Sequence, residues 1–393
     1  MNVIFLGSFY PENRFDEILH KSKYIDFAGN TFQWNLLKGF SSLGICVNTF
    51  TIPTTKKLKG LYLKGSSFSL NNNLKGESIE FWDIKGFKQI DTSFKLLHKL
   101  LNITDNYKYL IIYSLQNNLL RAAYFYKKIY PNTKIILIIT DLSEYMSASK
   151  NLIYNFLKKL EIKDNQKFID SVDGFILLTK QMAEKLKIKD KPFIVMEGIF
   201  NENYDISKKI TKKNKIKTIL YSGTLDKRYG IIKLVESFHA INDYSLQLII
   251  IGDGDSKKEI IKYNSIDSRI KYMGKLKRCD VLEMQRNSNL LINPRQNDKD
   301  YVKYSFPSKI LEYFASGTPT LMYNLPGIPS EYYDYCYTVE KVGNNSLKDA
   351  IINIFNKDES ELEKIGENAR IFILNNKNSR VQCSKIINFL SNI

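Results

Sequence analysis

The stretch YSFPSKILEYFASGTPTL, Tyr304 to Leu321, reads as one αβ unit. Pro307 suits the first turn of a helix, where its missing N–H is no loss, and Gly317 suits the stop. A strand, Pro319 to Met322, follows at once. The same alternation runs upstream through apolar strands at Thr218 to Tyr221, Leu246 to Ile251, Ile270 to Met273 and Leu290 to Ile292. Earlier still it gives strands at Val3 to Leu6, Cys46 to Ile52, Ile79 to Asp83, Tyr109 to Ser114, Ile135 to Thr140, Gly174 to Thr179 and Phe193 to Met196, with helices near Asn30 to Leu43 and Leu119 to Tyr130. Continuous apolar runs are what parallel strands covered on both faces require. The fold class is therefore α/β, built from doubly wound, Rossmann-like sheets.

A length of 393 residues asks for two domains. The lysine-rich SKKITKKNKIK has the composition of a solvated linker, so the expected division is a first domain over 1–205, a linker over 206–217 and a second domain over 218–376. A last helix, Ser379 to Leu390, is free by its periodicity to pack on either core, a return of the tail 377–393 to the first domain being one of the two arrangements left open. Two such sheets are expected to set their carboxyl ends on facing walls of one cleft.

Apolar residues make up 44% and charged residues 25%, which excludes general disorder. The net charge of +17, spread over both halves, points to anionic partners. Four cysteines without CxxC spacing suggest neither zinc nor a disulfide framework. No run approaches the roughly 18 apolar residues of a membrane span, and the start lacks a basic leader, so the expectation is a cytoplasmic protein. His20, His98 and His239 form no metal or triad constellation.

Three segments carry candidate chemistry. Pro307, Ser308 and Lys309 stand at a helix start, where free N–H groups and a full positive charge could seat a diphosphate, and Glu312 one turn on could accept hydrogen bonds from a ribose. An ordinary αβ unit would look the same. In YSGTLDKRYG, Gly223 lets backbone approach a phosphate while Lys227 and Arg228 supply charge; a solvated surface turn is the alternative. Asp253-Gly254-Asp255 mimics a metal-binding Asp-X-Asp, but its glycines end a strand and Asp255 suits a helix N-cap, so no metal site is expected.

In the first half, Gly29 and Asn30 stand just ahead of an amphipathic helix, Gly7 ends the first strand, and Asp141, with Glu144 close behind, follows the strand ending at Thr140. Each suits an ordinary cap or turn equally well. NLIYNFLKKLEIK has helical apolar spacing beside Lys158 and Lys159; a helix covering its own sheet is the better account than an interfacial one.

Taken in order, YSGTLDKRYGIIKLVESF, LIIIGDGDSKKEI, RIKYMGKL, NSNLLINPR and FPSKILEYFASGTPTL, with ITDLSEY, DGFILLT and VMEG before them, resemble the retaining glycosyltransferases of family 4, of the surface-polysaccharide type, which have the GT-B fold of two Rossmann-like domains. The ordered set covers most of the chain and is far more specific than any one glycine turn.

The resemblance implies a nucleotide-diphosphate sugar donor on the second domain, at Gly223, Thr224, Arg228, Gly252, Tyr304, Pro307, Ser308, Lys309 and Glu312. It implies a glycan or lipid-linked glycan acceptor on the first, at Gly7, Gly29, Asn30, Asp141 and Glu144, with no cofactor and no metal. Arg228, Lys309 and Asp141 are the expected catalytic contacts. Two departures stand out. Tyr304 occupies the place of the first of two family glutamates, and Thr224 and Tyr229 occupy two family basic positions, so Arg228 is the expected replacement cation. Contact with an anionic membrane on its inner face fits the charge. A nucleotide-sugar epimerase and a basic nucleic-acid-binding protein are the alternatives; no nucleic-acid module is recognisable.

Overall fold

The computed structural model describes residues 1–55, 58–84, 86–103, 107–142, 167–188, 190–200, 216–339, 343 and 345–393. Glu144, the NLIYNFLKKLEIK stretch and all but the end of the lysine-rich linker lie outside the described residues. The chain divides into two compact units, Met1–Asn201 with Ser379–Ile393, and Glu202–Asn378.

In chain order the strands of the first unit are β1 (Asn2–Gly7), β2 (Cys46–Thr51), β3 (Tyr62–Leu63), β4 (Ser66–Asn71), β5 (Leu74–Ser78), β6 (Phe81–Trp82), β7 (Tyr109–Tyr113), β8 (Lys134–Ile139), β9 (Gly174–Leu177) and β10 (Phe193–Val195). Eight form one sheet in the order β10-β9-β8-β7-β1-β2-β5-β4, parallel throughout except at the β4–β5 edge, and β3 and β6 make a separate antiparallel ribbon. Sequence patterning misplaces one strand here. Ile79 to Asp83 is not a unit of the sheet: the partner of β2 is β5, and Phe81–Trp82 belongs to the ribbon. Buried and exposed residues alternate along that run, which imitates a longer strand, although only Phe81 and Trp82 pair, and with β3 rather than with the sheet.

Helices α1 (Phe15–Lys21), α2 (Phe27–Ser42), α3 (Phe87–Leu101) and α4 (Asn117–Ile129) precede β8. Trp34, Leu37 and Phe40 of α2 join Val3, Phe5 and Ile111 in one buried cluster with Cys383, Ile386 and Leu390 of the terminal Ser379–Ser391 helix. That helix crosses α2 at Gly39, where a Cβ would stand 2.5 Å from the Cys383 sulfur. Gln382 also donates to the carbonyl of Gly198 at 2.7 Å. Its docking rests on this close approach, which hydrophobic periodicity does not encode.

The second unit carries β11 (Lys217–Ser222), β12 (Leu246–Ile251), β13 (Ile270–Gly274), β14 (Leu290–Asn293), β15 (Thr320–Tyr323) and β16 (Tyr337–Val339), all parallel, in the order β13-β12-β11-β14-β15-β16. The pairs Ile219 with Leu290 and Leu291 with Thr320 fix the register across its centre. Both units are thus doubly wound, Rossmann-like sheets. Strand order reverses between β1 and β7 in the first and between β11 and β14 in the second, and ligands of such sheets bind at the carboxyl ends beside the reversal. No helix among the described residues is long and apolar enough to cross a membrane.

Candidate active site

In the second unit, β11 ends at Ser222 and passes into Gly223 and Thr224. Tyr313, on the Lys309–Ala315 helix, fixes that end: its hydroxyl accepts the Ser222 N–H at 2.9 Å and donates to the Ser222 carbonyl at 3.2 Å. Full burial pushes the Tyr313 phenol up to about 12, so it stays a neutral clamp. Gln285 completes it by donating to the Ser222 hydroxyl at 2.9 Å.

The neighbouring loops crowd against this turn so closely that only glycine fits. Gly252 has φ +145°, and a Cβ there would lie 1.8 Å from the Gly223 carbonyl oxygen. Gly230, at φ +77°, would meet the Pro294 carbonyl at 2.0 Å. The second contact binds the 226–230 turn to the end of β14 and sets Arg295 beside it. The Arg295 guanidinium lies 4.3 Å from the centre of the Tyr229 ring and donates to the Ser305 hydroxyl at 3.1 Å. Asn293, at the last position of β14, has a buried side-chain nitrogen with no hydrogen-bond partner among the described residues.

Lys309 donates to Glu312 at 2.8 Å, and Arg278 binds the other oxygen of the same carboxylate at 2.5 Å. Glu312 is largely buried, and two of its roughly four lone-pair sites stay free to accept from a diol. Ser308 precedes the helix without capping it by its side chain, and Pro307 is buried. Thr224 is exposed and Tyr304 half-buried.

Arg228 is held differently from the sequence expectation. Its guanidinium binds both oxygens of Asp226, at 2.6 to 3.1 Å, which holds that carboxyl below the usual range, while its carbonyl accepts from the Tyr301 hydroxyl at 2.6 Å. Lys227 is exposed and paired with Glu259. Asp253 binds its own loop through the Gly254 N–H at 3.0 Å and meets Lys275 at 3.4 Å. The N-cap of the following helix is Ser256 rather than Asp255, because the 254–257 turn closes one residue later.

At the β1–β7 reversal of the first unit, Gly7 packs under Gln33, whose amide oxygen accepts the Ser8 N–H at 2.8 Å. The expected helix entry at Gly29 and Asn30 needs correction. Helix α2 begins at Phe27, capped by Asp26, which accepts the Gly29 N–H at 2.9 Å; Gly29 and Asn30 lie inside the first turn. The Gly29 N–H is therefore spoken for by a carboxylate, and the Asn30 side chain accepts from the Tyr10 N–H at 2.9 Å. Asp141 follows β8 and is reachable by solvent, yet protein packed around its carboxyl pushes it up to about 6, with the Asp26 charge adding to the rise and a hydrogen bond from Thr140 opposing it. Burial and the same two carboxylates raise the Tyr113 phenol, which accepts from Thr140 at 3.4 Å.

The structure thus gathers Gly223, Thr224, Gly252 and Arg228 around one strand end, with Lys309 and Glu312 on the helix that clamps it. Sequence reading missed Arg295, Arg278 and Asn293 here, and Asp26 and Gln33 in the first unit. The signal for Arg295 was its place just past an apolar strand, where side chains of a parallel sheet meet ligand.

Residues 202–372 match the family model of glycosyl transferases group 1. Among solved structures of the same fold, sucrose-phosphate synthase from Thermosynechococcus elongatus is 15% identical with a TM-score of 0.69, covering 100% of both chains. HepE from Anabaena, crystallised with UDP, is 14% identical with a TM-score of 0.67 and the same full coverage. The lipopolysaccharide outer core galactosyltransferase WaaB is 13% identical with a TM-score of 0.66, covering 100% of this chain and 99% of its own. No curated protein matches by sequence. The two Rossmann-like sheets have the GT-B fold of these glycosyltransferase structures. This chain is a glycosyltransferase, with a group 1 domain over its second unit.

Proposed function

We propose that the chain moves a sugar from a nucleotide-diphosphate sugar onto a hydroxyl of a glycan or lipid-linked glycan, with retention of configuration, in cell-surface polysaccharide synthesis at the cytoplasmic face of a membrane. The observation that carries it is the charge at the β11–β14 reversal: Arg295 and Lys309 beside a glycine-lined turn, with Glu312 held by two cations one helical turn away. HepE binds UDP, and WaaB is named for transfer to a lipopolysaccharide core, which supports the donor class and the acceptor class in turn.

In this reading Glu312 accepts from the ribose hydroxyls, Gly223 and Gly252 admit the diphosphate close to backbone, and Arg295 and Lys309 stabilise the charge that grows on it as the sugar–oxygen bond breaks. Arg228, tied to Asp226, orders the turn. The acceptor oxygen bonds to the anomeric carbon on the face the diphosphate leaves, and its proton passes to a diphosphate oxygen, so no protein base is required. In this reading Asp141, past the end of β8 in the first unit, orients the acceptor hydroxyl.

A thermal-shift panel of nucleoside diphosphates and their sugars tests the donor half. At about 100 times Kd a native-state ligand adds roughly 2.7 kcal/mol, a shift of several degrees. No shift with any of them, or interconversion of a nucleotide sugar without transfer, rejects the reading.

A further inference from the structure

Helix α3 is apolar on both sides. Its inner face buries Leu96 and Leu100, as a helix on a sheet must, but its outer face presents Phe87 (50% exposed), Ile90 (51%), Phe94 (65%) and Leu101 in one stripe. Trp82 and Ile84, just before it, are also about half exposed. A solvated helix face is ordinarily polar, so a clustered stripe of this kind marks a surface that water does not cover in use.

Its surroundings say what does. Between residues 52 and 103 nine lysines stand against four carboxylates. Glu77 and Asp91 are neutralised by Lys99 at 2.6 Å and Lys95 at 2.8 Å, whereas Lys64 and Lys75 have no carboxylate partner among the described residues. A groove of about 710 Å³ lies beside Phe94, lined by Lys64, Ser66, Ser78, Lys95, His98 and Lys99 together with Glu77 and Glu80.

We infer that the outer face of α3 is a docking surface for an anionic lipid bilayer, Phe94, Ile90 and Phe87 entering the acyl boundary and the groove receiving lipid head groups. Aromatic and aliphatic side chains flanked by lysines bind such an interface through buried area and charge together. A second copy of the chain would set two positively charged faces against each other. The inference gives the lipid-carried acceptor a place to reside and rests on that reading for its purpose, not for its test.

The test is flotation of the full chain with phosphatidylcholine vesicles, with and without about a third phosphatidylglycerol. Trp82 and Trp34 are the only tryptophans, and Trp34 is buried, so insertion is read directly as a blue shift of Trp82 emission and its quenching by brominated acyl chains. The expected result is flotation with the anionic vesicles only, reduced about tenfold or more by Ile90→Glu with Phe94→Glu and retained by Tyr244→Glu, an exposed site in the second unit. The wild-type Trp82 signal stands as evidence even where the double variant misfolds. Flotation unaffected by the double variant, flotation without a Trp82 shift, no flotation, or a dimer that the double variant abolishes would each overturn the inference. The flotation assay holds no donor and so reads this surface alone; a chain that floats as expected yet shows no thermal shift with any nucleotide sugar loses the transferase reading and keeps this surface.

Discussion

At the strand-order reversal of the second unit the gathered side chains are cationic, Arg295, Arg228 and Lys309, with Asp226 and Glu312 as counter-charges. At the reversal of the first unit they are Asp26, Gln33 and Tyr113, with Asp141 one strand over. Two doubly wound sheets therefore present opposite charge at their strand-order reversals. Winding decides where a ligand sits, and a few residues just past the strand ends decide its sign. A cationic end suits an anionic leaving group, while a carboxylate-rich end suits hydroxyls and a carbon that gains positive charge.

The sharpest way to break this contrast is Arg295→Ala. If that guanidinium meets the diphosphate, turnover at saturating donor falls about 10²- to 10³-fold, the range for losing one preorganised charge donor, and Arg295→Lys recovers part of it. Arg228→Ala, already paired with Asp226, is expected to change turnover less than about threefold. The reverse ranking in steady-state kinetics would return the role to Arg228, and Lys309→Ala unchanged beside both would remove the cationic site altogether.

Backbone crowding separates the units next. Gly252→Ala forces a Cβ against the Gly223 carbonyl at a φ that side chains avoid, and should cost about 3 kcal/mol or more in urea unfolding. Gly7→Ala meets side-chain atoms of Gln33, Phe5 and Phe9 that can shift, and should cost less, about 1–3 kcal/mol. Equal costs would mean that the second turn is no tighter than the first.

A smaller effect tests the ribose contact. Glu312→Gln should weaken UDP binding about tenfold, or roughly 1.4 kcal/mol, in calorimetric titration, yet leave the affinity of a dideoxyribose analogue nearly unchanged. Equal losses for both would show that Glu312 acts through Lys309 and Arg278 rather than through the sugar.

The second unit was the more legible of the two. Its strands lie in continuous apolar runs, and Gly223, Gly252 and the Pro307 to Gly317 segment mark turns by residue type alone. Arg295 escaped because its part depends on Gly230 meeting Pro294, a contact between segments more than sixty residues apart. In the first unit, periodicity located the parallel strands but not the β4–β5 edge, whose short, half-exposed strands carry little apolar signal. Asp26 was overlooked as the cap of α2, since Asn30 four residues later carries an equally good capping side chain. The terminal helix shows the same limit: Gly39 admits Cys383, and no pattern in either segment announces the other.

The least effect, and the most specific to the first unit, belongs to Asp141. Its carboxyl titrates near 6 in the folded chain against an ordinary value near 3.8, so between those values the native state holds the proton more tightly than the unfolded one. Stability from this group is then present below about pH 4, declines as pH rises through 6, and stays lower above it. Asp141→Asn removes the dependence: its melting temperature should match the wild type near pH 4 and exceed it at pH 8, by a few degrees at most because solvent reaches the side chain. Asp26→Asn keeps a capping oxygen while deleting the neighbouring charge, and should shift the wild-type window toward lower pH. A melting difference that is the same at both pH values would show that Asp141 ionises like a surface carboxylate, and the contrast between the two strand ends would then rest on the cations of the second unit alone.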